Sequence, residues 1–128
     1  MRYYQNARET LKKSPLDKET NLYEDLRYVR IAFRLLWISI LKALDYAFLS
    51  TGNITKEGLP ESEERYGGYI DRYLLFKDAK LKDLFENLYN EVYVAGYYRG
   101  LIRSKNMIDL DFEATKEFFY RLGIEIED

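Results

Sequence analysis

The sequence predicts an all-α fold, a four-helix up-and-down bundle with an additional short helix. Apolar residues recur at three- and four-residue spacing along most of the 128 residues. Ser14-Pro15, the Gly52 to Pro60 stretch and Gly123 interrupt that spacing where helices should end. Neither an internal repeat nor a Gly/Ser linker divides the chain, so one domain over 1–128 is expected.

Tyr3, Tyr4, Ala7 and Leu11 mark a short first helix, stopped by Ser14-Pro15. Asn21, three residues before Glu24, resembles an N-cap for a long second helix from about Leu22 to Leu49. Its main apolar face collects Leu22, Leu26, Val29, Ala32, Phe33, Leu36, Trp37, Ile40, Ala43, Leu44, Ala47 and Phe48. A second strip of Tyr28, Ile31, Leu35 and Ile38 lies on the other side and is the expected interface of a homodimer. Arg34, Lys42 and Asp45 would be costly in a membrane, so this apolar tract reads as a buried helix and not as a span.

A third helix should start near Pro60 to Ser62, where Glu61, Glu63 and Glu64 suit its positive end; Tyr66, Tyr69, Ile70, Tyr73 and Leu74 form its apolar face. Gly67-Gly68 weakens its first turns and allows close packing. Asp78 is the expected cap of a fourth helix carrying Leu81, Leu84, Phe85, Leu88, Val92, Ala95 and Ile102. After a polar Ser104-Lys105-Asn106 segment, Asp109 or Asp111 should cap the last helix, which ends at Gly123 before an acidic tail over 124–128.

Composition removes several function classes. With no histidine and no cysteine, the chain has no histidine general base, Ser-His-Asp triad, cysteine nucleophile, disulfide or thiolate zinc site. A formal net charge of -2 argues against a generally basic nucleic-acid surface. The N-terminal residues lack the apolar core of a signal peptide, and a reducing cytoplasm is the compartment expected. No cofactor is expected. Glu61, Glu63, Glu64, Asp78 and Asp83 match no metal-ligand spacing, so no metal site is assigned.

Two features invite a site. Gly96 and Gly100 bracket Tyr97, Tyr98 and Arg99 in a helical segment, where two missing side chains would let a ring or helix approach closely. At ordinary α-helical spacing Arg99 shares the core face of Leu81, Leu88 and Val92, so it would need Asp45, Glu91 or an external anion. The second feature is tyrosine: 13 in all, with Tyr89, Tyr93 and Tyr97 at four-residue intervals that could face Tyr66, Tyr69 and Tyr73. Such a wall could stack a ligand ring, or equally cover a small core or line a protein interface. The two functional readings are a noncatalytic interaction or dimerisation module with a protein partner, and a nucleotide or phosphorylated-ligand binder using Arg99, Tyr93, Tyr97 and Tyr98.

Tyr23 to Val29, Ala43-Leu44-Asp45 and Gly96-Tyr97-Tyr98-Arg99-Gly100 resemble a small bacterial helical-bundle family of unknown function. More remotely, the arrangement is similar to HEPN domains, some of which are RNases or partners of a nucleotidyltransferase. The nuclease branch uses an Arg-x(4 to 6)-His motif; Arg99 and Arg103 could supply its arginine, but the chain has no histidine. The resemblance therefore implies a noncatalytic, HEPN-like partner-binding domain.

Overall fold

The computed structural model describes residues 2–126. It is an all-α bundle of five helices among the described residues, with one minimal hairpin. Helix α1 (Arg2–Leu11) buries Tyr4, Ala7 and Leu11 on one face, as their spacing requires. Ser14 then ends the first segment and its Oγ accepts from the Asp25 amide at 2.9 Å.

Between them lies an element that the apolar pattern does not announce. Strands β1 (Leu16–Asp17) and β2 (Leu22–Tyr23) pair antiparallel. Asp17 Oδ1 accepts from the amides of Glu19 and Thr20, and Asn21 turns the chain with φ of 58°. Asn21 is therefore a turn residue and not the cap of the second helix. Asp25 takes that role, accepting from the Arg27 amide at 3.0 Å, and α2 runs over Leu26–Ser50. Two residues are too few to separate period two from period 3.6, which is why Leu22 reads equally well as helix.

Helix α2 is the central element. Helix α1 and the segment after α4 pack most extensively on it, and α3 and α5 also reach it. From Val29 to Phe48 every residue expected on its main face is buried, whereas Leu22 is exposed on β2 and Leu26 in the first turn is half-buried. The second strip is not one open face: Ile31 is exposed, while Tyr28, Leu35 and Ile38 are half-buried.

The loop after α2 holds two short 3-10 turns, Lys56–Gly58 and Glu63–Arg65, before α3 (Tyr66–Tyr73). Asp78 is not the cap of α4 (Leu81–Leu88), whose N-cap is Lys80; it lies in the preceding turn, accepting from the Lys80 amide at 3.0 Å and pairing with Arg121 at 2.9 Å. Helix α4 does not stop at Leu88. It continues as a ten-residue π-helix, Tyr89–Tyr98, in which amides reach five residues back, as from Arg99 to the Val94 carbonyl at 2.8 Å. Such segments are rare and usually a single turn long.

The last helix, α5 (Lys105–Arg121), starts earlier than Asp109 or Asp111 would place it. Ser104 is its cap and accepts from the Met107 amide, so the polar Ser104-Lys105-Asn106 run opens the helix. Gly123 follows it with φ of 85°, the left-handed residue that the sequence places there. Of the acidic tail, 127–128 lie outside the described residues.

Candidate functional site

The Gly96 to Gly100 cluster resolves into two packing devices. A Cβ on Gly96 would stand 2.5 Å from the ring of Phe33, so the glycine lets the π-helix settle directly on that buried side chain. Gly100 has φ of 60° and ends the helix. The helix end is held by an arginine that the periodicity does not single out. Arg30 Nε donates to the Tyr97 carbonyl at 2.9 Å, and its Nη2 donates to the Tyr98 carbonyl at 3.1 Å. These carbonyls lie in the last turn, where a cation opposes the negative end of the helix.

Arg99 is placed differently from the expectation. It is exposed, and among the described residues its side chain makes no ion pair or hydrogen bond. The π-helix is the reason: with five-residue hydrogen bonding each residue turns through a smaller angle than in an α-helix, so projection from Leu81 at α-helical spacing gives the wrong face. Of the acids proposed for it, Asp45 accepts from the Tyr66 hydroxyl at 2.8 Å and Glu91 acts on the Asp111 carboxyl. Arg34 pairs with Glu63 at 3.1 Å while its guanidinium lies over the Tyr97 ring.

The tyrosines form two separate groups and not a pair of facing walls. Tyr66, Tyr69 and Tyr73 of α3 surround Phe48 with ring centroids 5.6 to 6.3 Å away. Tyr89 and Tyr93 surround Trp37 at 5.8 and 5.6 Å, with Phe85 at 5.6 Å on the same indole. Tyr89 and Tyr93 stack at 5.4 Å, and Tyr97 continues the row.

A cleft of about 700 Å³ opens beside the second group. Phe85, Tyr89 and Tyr93 line it from α4 and the π-helix, and Gly67 and Gly68 line it from α3. The buried Trp37 indole packs on all three of these aromatic rings, and its Nε1 has no hydrogen-bond partner. Gly68 leaves open space where a side chain would stand. Charges at the cleft are Glu63, Glu64, Glu86 and Lys82. Lys82 is neutralised by Asp71 at 2.8 Å and also donates to the Gly67 carbonyl at 3.1 Å; Glu63 is neutralised by Arg34. Glu64 and Glu86 make no ion pair or hydrogen bond among the described residues, so they leave the cleft acidic. Partial burial and then Glu63 raise the Tyr93 phenol, with Arg34 opposing, so its ring faces the cleft uncharged at neutral pH.

Sequence reasoning thus singled out Tyr89 and Tyr93, and Gly67-Gly68 as a place of close packing, but missed Lys82 and Glu86 as their partners in the cleft. Tyr97, Tyr98 and Arg99 do not line it. The missed signal was the charge balance of Glu64 and Glu86 against Lys82, which depends on pairings 11 and 29 residues long, Lys82 with Asp71 and Arg34 with Glu63. Among the described residues, no three carboxylates come together in a group that could hold a metal ion.

The fold is that of a small helical bundle with an open acidic cleft. The chain belongs to the family described as a domain of unknown function (DUF5618), which matches residues 1–123. A protein of unknown function from Dyadobacter fermentans has a similar fold at 20% identity, with a TM-score of 0.71 over 94% of this chain and 87% of that one. No curated protein matches. No helix among the described residues is long and apolar enough to cross a membrane.

Proposed function

We propose that the protein is a single-domain, noncatalytic interaction module of the cytoplasm that receives a cationic side chain of a protein partner in the cleft beside Trp37. One observation carries this reading: the two carboxylates without internal partners, Glu64 and Glu86, adjoin the stacked faces of Tyr89 and Tyr93. A guanidinium or ammonium group over a tyrosine face gains about 0.5–2 kcal/mol, and a nearby carboxylate adds charge-assisted hydrogen bonds. The same charges disfavour a phosphate in the cleft, and Tyr97, one of the two stacking residues of the nucleotide reading beside Tyr98, already carries Arg34. A HEPN-like partner domain is compatible with the proposal, since it needs a bundle and a docking surface but no catalytic histidine.

Trp37 is the one tryptophan of the chain and reports on the cleft directly. Titration with N-acetyl-arginine amide should change its fluorescence saturably, and Glu86→Gln should weaken that binding roughly tenfold. An unchanged emission together with unshifted Tyr89 and Tyr93 ring resonances would refute the proposal.

A further inference from the structure

Gly68 has a place in α3 that packing within the fold does not explain. A side chain at Gly67 would touch Lys82 at 3.5 Å, but one at Gly68 would meet nothing within 4 Å. Glycine weakens a helix relative to alanine, and no ring or backbone of this molecule fills the space that Gly68 leaves. That space lies between two depressions. On one side is the acidic cleft; on the other is a groove of about 350 Å³ lined by Arg65, Tyr69, Arg72 and Tyr73. Glu64 and Gly68 line both, so the two depressions adjoin across α3. The groove has the opposite charge. Arg65, Gly68, Tyr69 and Arg72 follow the spacing of one helix face, and Arg65 has helical backbone angles although it precedes the first turn. Both arginines are exposed, and neither makes an ion pair or hydrogen bond among the described residues. The Arg72 guanidinium lies over the Tyr73 ring, 5.5 Å from its centroid, which leaves its N–H groups for an acceptor.

We infer that the partner is an extended peptide segment that crosses α3 at Gly68, with its cation in the cleft and an Asp or Glu carboxylate in the groove against Arg65 and Arg72. This rests on the cation-binding reading of the cleft and adds the partner's form to it. Charge complementarity sets the order of the two side chains. The reverse placement would bring the carboxylate against Glu64 and Glu86 and the cation against two arginines. The width of the helix sets their spacing. A helix with its side chains is about 10 Å across, and an extended chain advancing about 3.3 Å per residue covers that in about three residues. The two charges therefore stand three positions apart, and the residues between them lie over the gap that Gly68 leaves.

Tetrapeptides of one composition and different order test the crossing. The N-acetylated amides of Arg-Ala-Ala-Glu and Glu-Ala-Ala-Arg hold the charges three positions apart in the two chain directions, whereas that of Arg-Glu-Ala-Ala holds them adjacent. In titrations followed by Trp37 fluorescence at low ionic strength, one of the spaced peptides should bind the wild type about fivefold more tightly than the adjacent one. The double variant Arg65→Gln/Arg72→Gln should erase that preference while keeping its affinity for N-acetyl-arginine amide within about twofold of wild type. Gly68→Leu, which puts a side chain in the path, should erase the preference as well. All three positions are exposed, and circular dichroism checks that each variant folds. Equal affinities of the three peptides for the wild type, or a preference that survives in either variant, would overturn the inference. N-acetyl-arginine amide reaches the cleft alone and so separates the two readings. Its binding without a spacing preference overturns the crossing peptide only, whereas no binding overturns the cation-receiving cleft itself.

Discussion

The two tyrosine groups use one side chain for opposite purposes. Around Phe48, the Tyr66 hydroxyl donates to Asp45 at 2.8 Å and the Tyr69 hydroxyl donates to the Gly58 carbonyl at 2.7 Å. Those rings pin α3 to α2 and to the preceding loop. Around Trp37, Tyr89 and Tyr93 stack on each other and make no hydroxyl hydrogen bond among the described residues. A tyrosine whose polar end is satisfied within the fold is structural; one whose ring lines an acidic cleft is available to a ligand. Count and spacing are similar in the two groups, so the environment of the hydroxyl is what separates them.

The largest expected effect lies at the centre of the structural group. Phe48→Ala should destabilise the protein by about 3–5 kcal/mol in chemical denaturation, since the ring is fully buried under three tyrosines. On the Trp37 side the backbone itself sets the packing. Gly96→Ala should cost about 1–3 kcal/mol, because its Cβ would meet the buried Phe33 ring at 2.5 Å. An unchanged denaturation midpoint for Gly96→Ala would show that the π-helix is not seated on Phe33.

Two carboxylates, one satisfied and one not, extend the contrast to pH. Burial raises both Asp45 and Asp111; for Asp45 the Tyr66 hydrogen bond and then Lys42 oppose the shift. Asp111 has no such relief: its Oδ2 is without a hydrogen-bond partner, and Glu91 of the π-helix adds to the burial effect, raising it to about 7. A raised acid binds more protons folded than unfolded, so its contribution to stability is greatest below about pH 4 and is lost as pH rises through 7. Asp111→Asn should therefore gain about 1–2 kcal/mol on wild type between these limits, after allowance for solvent screening. Parallel pH–stability curves for the two proteins would dismiss the buried carboxylate as a destabilising group.

The smallest differences draw the sharpest line. Tyr66→Phe should cost about 1–2 kcal/mol by leaving half-buried Asp45 without its donor. Tyr93→Phe should stay within about 0.5 kcal/mol of wild type, having no hydroxyl partner to lose. Equal costs at the two positions would erase the distinction between the groups.

The helices were legible because burial writes a period into the chain. Val29 through Phe48 repeat it for about five and a half turns, and every residue named for the main face from Val29 onward is buried. Asn21 and Leu22 misled because a two-residue strand is shorter than either period. The π-helix left no mark of its own: its tyrosines recur every four residues, as they would in an α-helix, and only the hydrogen bonding shows the wider turn. That one difference carried Arg99 from the expected core to the surface. The Gly96 contact was half legible, since the missing side chain announced a close approach but could not say to which ring. Arg30 was not, because its targets are carbonyl oxygens and those belong to every residue.

The hairpin has a further consequence through the way it is stitched to the far end of the chain. The Tyr23 amide donates to the Arg103 carbonyl at 2.9 Å, and the Lys105 amide donates to the Asn21 carbonyl at 3.0 Å. Arg103 then reaches back to the carbonyls of Tyr23 and Glu24. These bonds span about eighty residues, so the loop they close includes α2, α3, α4 and the π-helix. Closing so long a loop is entropically expensive until the intervening helices have packed. The seam is therefore expected to close last, and hydrogen exchange at the Tyr23 and Lys105 amides should report whether the whole bundle has assembled.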